Sequence, residues 1–243
     1  EWGRGDASVS VLFGPPTSQQ LHGGAIAFGE ARLLAFPVRS LQQLFLWVTC
    51  PFIISRLVRE ITLMGGTISL AAPPVAEGCA VVADQSLSDD IVLEDLSFKA
   101  TCDGDWGRTA TELAKRLLPE GAAYDWVREK FKKHLVLISD DDFSYLVRYA
   151  TEVTARIVLD DEKKTSENLW YEESLPRDCL FYAWLRCERP RDPKKNSGIG
   201  SPADVAQKLE ELVRARSFIQ IGGNETVGQG WCKLRLVDLP SLS

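Results

Sequence analysis

Two histidines and one methionine are all that this 243-residue sequence holds of those residue types. A histidine general base would therefore have to be His22 or His134. His134 follows Lys132-Lys133 at a predicted helix end, where a cation facing the C-terminal dipole explains it. His22 precedes Gly23-Gly24 in a loop. Neither stands at zinc-ligand spacing from a cysteine. The six cysteines (Cys50, Cys79, Cys102, Cys179, Cys187 and Cys232) form no C-x-x-C pair and are too dilute for a disulfide scaffold. Cys50 and Cys179 lie in apolar runs and read as small buried hydrophobes. The pattern fits a reducing cytoplasm. A Walker loop, G-x-x-x-x-G-K-S/T, does not occur, nor does a G-x-S-x-G nucleophile elbow. No apolar run reaches the ~20 residues of a membrane span. The longest, Leu44 to Ile54, is broken at Cys50-Pro51, so no membrane partner is expected. No secretory signal opens the sequence. Its first residue is Glu rather than Met, and the expectation is that the start of the natural chain is missing.

A basic excess is also lacking. The net charge is −6 and the pI about 5.1, which excludes coating a polyanion by bulk charge. Any nucleic-acid contact must use a local patch. Local clusters exist at Lys130, Lys132 and Lys133, at Lys163 and Lys164, and at Arg186, Arg189, Arg191, Lys194 and Lys195. Each reads first as a solvated face. With 45% hydrophobic and 26% charged residues the composition is that of a folded domain. The length allows one large domain with substantial insertions.

Periodicity sets the expected elements. Residues 31–39 (ARLLAFPVR) and 44–50 (LFLWVTC) are rich in β-formers and suggest a hairpin. Pro51 opens a helix in which Ile53, Leu57, Ile61 and Met64 share a face, ended by Gly65-Gly66. Residues 71–90 read as a loop or insertion. A strand is expected over 91–100, a polar turn at 103–107, and two short helices within 108–134, split by Pro119-Glu120-Gly121. A strand follows at 135–138. Ser139 then caps a helix whose apolar face holds Phe143, Leu146, Val147 and Ala150. Residues 151–178, with a charged centre, read as a long protruding hairpin. A strand over 179–187 and a polar loop over 189–200 follow. Ser201 and Pro202 start a helix with Val205, Leu209, Leu212 and Val213 on its buried side. Strands close the chain at 217–221 and 231–237. This mixed order indicates an α+β fold rather than a doubly wound sheet. The strand–helix–strand unit 179–187, 201–216 and 217–221 fits half of a ferredoxin-like fold.

Acidic pairs at Asp89-Asp90, Glu94-Asp95, Asp140 to Asp142, Asp160 to Glu162 and Glu172-Glu173 have the chemistry for metal binding or acid–base work. Helix-terminus and hairpin-tip roles explain them at least as well. No catalytic residue and no metal ligand is assigned. The most informative stretch is Phe218 to Trp231, FIQIGGNETVGQGW. Glycines at 222, 223, 228 and 230 between two strands allow close backbone approach to a phosphate or to another chain, with N–H groups as donors. A purely structural turn is an equally good reading of the residues alone.

IGGNETVGQGW resembles the C-terminal glycine-rich loop of the RAMP (repeat-associated mysterious protein) superfamily. VLFGPP (11–16), LHGGAIAFGEARLLAFPVRS (21–40), LFLWVTCP (44–51) and TARIVLDDEKKTSENLWYEESLP (154–176) agree in order. The pair FPVRS and WVTCP narrows the resemblance to the backbone subunits of type III-B, Cmr-type CRISPR complexes. It covers almost the whole chain, more weakly over 65–150. It implies a single RAMP domain over 1–243: a modified RRM-like, ferredoxin-type palm, a helical insertion at about 65–150, a β-hairpin thumb at about 151–178, and a C-terminal palm half over 179–243. It implies a subunit that stacks copies of itself along a CRISPR RNA, beside other subunits of the complex, with thumbs entering the guide–target RNA duplex. RNA contacts are then implied at Arg156, Lys163 and Lys164 of the thumb. Further candidates are Gly222, Gly223, Asn224, Thr226, Gly228 and Gly230 of the loop, with Arg39 and Arg148, all on one basic face. In such complexes target RNA is cut with a divalent metal, Mg or Mn. The family's cleavage Asp lies upstream of the VLFGPP-like motif, which here starts at Val11. Asp6 stands in a different context, so the metal is expected for the complex and not for this chain. A binding-only scaffold of the same fold is the second reading, and an unrelated α+β enzyme using an acidic pair is the third.

Overall fold

A computed structural model describes residues 7–15, 22–159, 166–191 and 198–239. The chain divides into two compact units, residues 1–32 with 182–236, and residues 33–181 with 237–243.

The first unit contains helix α1 (Ala7–Phe13), strand β1 (Ile26–Phe28), strand β11 (Leu185–Cys187), helix α6 (Pro202–Ala215) and strands β12 (Phe218–Gln220) and β13 (Trp231–Lys233). β1 pairs antiparallel with β11, and β12 with β13. Leu12, Ala25, Ile26, Val205 and Leu209 form its buried cluster, with Leu212 and Val213 partly buried against it. The start of α6 follows from its sequence. Ser201 accepts from the Asp204 amide, Asp204 accepts from the Ser201 amide, and Pro202 occupies the first turn, a capping box that satisfies amides left over at a helix start. Gly24 is required sterically: a Cβ there would lie 2.6 Å from the Leu12 carbonyl oxygen. That close approach lets the Ala25 amide donate to Val11 at 2.9 Å and ties the VLFGPP segment to the strand after LHGG.

The second unit is built on a seven-stranded sheet. Its strands are β2 (Arg32–Arg39), β3 (Phe45–Thr49), β4 (Cys79–Val82), β5 (Asp90–Leu93), β6 (Leu96–Cys102), β7 (Leu135–Ile138) and β10 (Leu180–Tyr182), in the order β10-β2-β3-β7-β4-β6-β5. β3 and β7 run parallel, as do β4 and β6; the β2/β3, β4/β7 and β5/β6 pairs are antiparallel. Helices α2 (Pro51–Leu63), α3 (Gly104–Leu117), α4 (Ala122–His134) and α5 (Asp140–Tyr149) belong to this unit. All four β7 residues are buried, as expected of a central strand covered on both faces. Trp106 on α3 is fully buried and its indole N–H donates to the Leu135 carbonyl at 2.9 Å, so a large apolar group fills the core and leaves no polar atom unpaired. Among the described residues, strands β8 (Glu152–Leu159) and β9 (Ser166–Ser174) pair only with each other.

The α+β expectation, the hairpin of β2 and β3, the helix after Pro51, the strand 135–138 and the helices capped by Ser139 and Ser201 hold. Five expectations do not. Residues 71–90 contain strand β4, whose CAVV alternation is too short to stand out beside Pro73-Pro74. The single strand over 91–100 is a tight hairpin that turns at Glu94, φ 53°. The polar turn at 103–107 is the first turn of α3, with the Asp103 carboxylate accepting from the Trp106 amide. The strand over 179–187 is two short strands in different sheets, and β12 pairs with β13 rather than with β11, so the predicted strand–helix–strand unit does not form one sheet. Met64 is exposed at the end of α2 rather than on its buried face.

His134 also departs from expectation. It is buried, and burial together with Lys130 holds its pKa below the ordinary value. It is neutral in the fold, not a cation on a helix dipole. The unfolded chain then binds this proton more readily than the folded one. Stability from this group is complete above the unfolded pKa of about 6.5 and falls as pH drops below it. Denaturant titrations from pH 7.5 to 5.5 should show falling stability in the native chain and a flatter profile in His134→Gln.

Candidate nucleic-acid interface

Side chains alternate along a strand, so each face of the β8/β9 ribbon carries one set of cross-strand pairs. Thr154, Arg156 and Val158 face Glu172, Trp170 and Asn168 on one side. There the Glu172 carboxylate accepts from Arg156 Nε at 3.1 Å and from Trp170 Nε1 at 3.1 Å. The other side pairs Val153, Ala155 and Ile157 with Glu173, Tyr171 and Leu169. That side is apolar and open, with Val153 63%, Ile157 54%, Leu169 54% and Tyr171 68% exposed. An isolated two-stranded ribbon is marginal in water, and exposed apolar surface marks contact sites. Lys163 and Lys164 lie outside the described residues, as do Asp160, Asp161 and Glu162.

The glycine-rich loop joins β12 to β13 in the first unit. Ile221 N–H donates to Gly230 O at 2.9 Å, and Val227, Gly228 and Gln229 donate back to Asn224 and Glu225. Asn224 and Gly228 adopt left-handed backbone around a single 3-10 turn. Gly230 has φ +77°, and a Cβ there would meet the Ile221 oxygen at 2.1 Å; only glycine fits. At Gly223 a Cβ would meet nothing within 4 Å, so packing does not demand glycine there. Gln220, absent from the predicted site, sits beneath the loop. Its amide nitrogen donates to Gly222 O at 3.1 Å, Gly223 O at 3.3 Å and Gln229 O at 3.3 Å. Asn224 Nδ2 donates to Gln229 Oε1 at 2.9 Å. The one signal for Gln220 was a polar residue inside the apolar run FIQI.

The remaining candidates divide between the units. Arg39, Arg148 and Arg156 belong to the second, the glycines, Asn224 and Thr226 to the first. Arg39 is exposed, but its guanidinium is held by Glu94 through Nε at 2.9 Å and Nη2 at 2.8 Å, and this pairing raises its pKa further. Arg148 stands exposed in the last turn of α5. Among the basic clusters, Lys132 pairs with Glu129 at 2.6 Å and Lys130 lies over the Trp126 ring. Arg186 and Arg191 share Glu188. Lys194 and Lys195 lie outside the described residues.

Several of the acidic residues have structural partners. Asp140 accepts from the Phe52 amide, and Asp142 from Ser139 and the Gly78 amide. Glu173 accepts from Thr151. Among the described residues no group of three or more His, Cys, Asp or Glu could hold a metal ion. The cysteines are free thiols. Burial pushes Cys50 and Cys179 up to about 12, which keeps them protonated and poorly nucleophilic.

The family model of the RAMP superfamily matches residues 5–233. The chain belongs to the RAMP superfamily. Among its members, the CRISPR system Cmr endoribonuclease Cmr4 of Pyrococcus furiosus is 33% identical over 238 residues, 96% of this chain and 77% of that protein. The crystal structure of oligomeric Cmr4 from Pyrococcus furiosus matches with a TM-score of 0.68 at 27% identity, covering 93% of this chain and 76% of that one. A chain of the type III-B Cmr-beta complex bound to cognate target RNA, seen by cryo-electron microscopy, matches with a TM-score of 0.66 at 17% identity over 94% of this chain and 75% of that one; it shows the RAMP fold alone. Among the described residues no helix is long and apolar enough to cross a membrane.

Two glycines of this RAMP loop separate packing from contact. Gly230→Ala should lower the melting temperature, because its Cβ strikes the Ile221 carbonyl. Gly223→Ala should leave the melting temperature within a few degrees; if a phosphate approaches the backbone there, the methyl should also weaken RNA binding. Unchanged RNA affinity in Gly223→Ala would mean that nothing approaches the loop there.

Proposed function

We propose that this RAMP protein is a backbone subunit of a type III-B, Cmr-type CRISPR complex, binding CRISPR RNA chiefly through its phosphates. The observation that carries this reading is that a chain one-third identical to a Cmr4 protein has a glycine-rich loop whose Gly223 has no packing reason to be glycine, and, among the described residues, a β8/β9 ribbon that joins no larger sheet. The loop approaches the guide backbone, while the ribbon acts as the thumb that enters the guide–target duplex. Its open apolar side, with Tyr171 and Ile157, meets base planes or the adjacent copy. Arg156, Lys163, Lys164 and Arg148 supply cations, and Arg39 joins them when Glu94 releases it.

Copies of the chain stack along the guide, beside the other subunits of the complex, in the cytoplasm. Target RNA cleavage, with Mg or Mn, is an activity of the assembled complex, and no residue described above is assigned to it. The binding-only scaffold differs from this reading only in lacking that cleavage.

Binding to a CRISPR-repeat RNA across a salt series tests the proposal. Affinity should fall steeply with salt, with a log–log slope of about −0.7 for each phosphate neutralised on a single strand. Joint Lys163→Ala and Lys164→Ala should make that slope shallower by roughly 1.4, two phosphate contacts at that value. Salt-insensitive binding, or none, would remove the basis for the guide-binding role.

A further inference from the structure

The carbonyl oxygens of Gly222, Gly223 and Gln229 all lie within 3.1–3.3 Å of one atom, the side-chain nitrogen of Gln220. Three carbonyls around one site require a donor there, which fixes the orientation of the Gln220 amide. A trans peptide points its N–H opposite to the preceding C=O. Drawing the oxygen of Gly222 inward therefore turns the N–H of Gly223 outward. By the same geometry the Gly230 N–H points away from Gln220. Residues 221–228 are exposed, so the outward side of the 222–223 peptide faces solvent. By contrast, the N–H of Gly228 is bonded within the loop, to Glu225 O at 3.0 Å.

We infer that Gln220 is the positioning residue of an anion site, holding the carbonyls inward so that the Gly223 N–H is presented to a phosphate oxygen of the bound RNA. This rests on the guide-binding reading above and adds to it a residue that touches no RNA. Outward backbone N–H groups in glycine-rich turns are a general device for anions. The bonds they make carry no formal cation, so they release few counterions. Loss of this site should change affinity without changing its salt dependence, unlike loss of a lysine or arginine contact.

The test compares the native chain with Gln220→Met, which keeps the length and removes the donor. Gln220 is held in register opposite Trp231 by the backbone of β12 and β13, and circular dichroism checks that the variant folds. CRISPR-repeat RNA should bind Gln220→Met about tenfold more weakly at every salt concentration, with the log–log slope unchanged. Equal affinity, or a changed slope, would overturn the assignment. A second measurement needs no variant. In glycine-selective 15N NMR of the native chain, the Gly223 amide should shift on adding RNA while that of Gly228 stays in place. An unmoved Gly223 in the bound chain overturns the site. If the native chain binds no RNA, the guide-binding reading fails, and inorganic phosphate becomes the probe. A selective Gly223 shift with phosphate then supports the anion site, and its absence overturns it.

Discussion

A chain with 34 acidic and 28 basic side chains can meet a polyanion only if its carboxylates are turned away or already engaged. This constraint orders much of the structure. Glu94 closes on Arg39, Glu172 on Arg156 and Trp170, and Glu188 on Arg186 and Arg191. Asp140 and Asp142 accept from backbone and hydroxyl donors. Exposed ion pairs of this kind stabilise a fold by about 1 kcal/mol at most. Their larger consequence is that Arg39, Arg156, Arg186 and Arg191 are already engaged by carboxylates, which gives the neutral N–H groups of the glycine loop a part in the proposed contact.

The two elements behind the functional reading differ in how they are held. The loop is shaped locally: Gly230 lies against Ile221, Gln220 gathers three carbonyls, and Asn224 meets Gln229. Its geometry is preorganised, which lowers the ordering cost of binding. The ribbon has no such support. Among the described residues it pairs with no further strand, and it leaves Val153, Ile157, Leu169 and Tyr171 open. It is the part whose stability and shape depend most on a partner.

The elements with strong local signals were legible in the sequence. Ser139 and Ser201 announced their helices through capping chemistry, Pro51 opened α2, and the β-branched and aromatic runs of β2, β3 and β7 marked the central strands. The misreadings have a common physical origin. Short strands such as β4, β10 and β11 are decided by partners distant in sequence, and a two-residue turn at Glu94-Asp95 has no glycine or proline to mark it. The fate of His134 depended on burial, which periodicity does not report. At the interface, the glycines were visible because glycine at a turn is a local fact. Gln220 and Glu94 were not, because each acts through a partner that only the fold brings near.

The central claim is that copies of this chain line up along a guide RNA. Native mass spectrometry with CRISPR RNAs of increasing length tests it most directly. The account predicts that the number of bound copies rises by one for each fixed increment of RNA length. A single copy at every length, or association of copies that ignores RNA length, would contradict it.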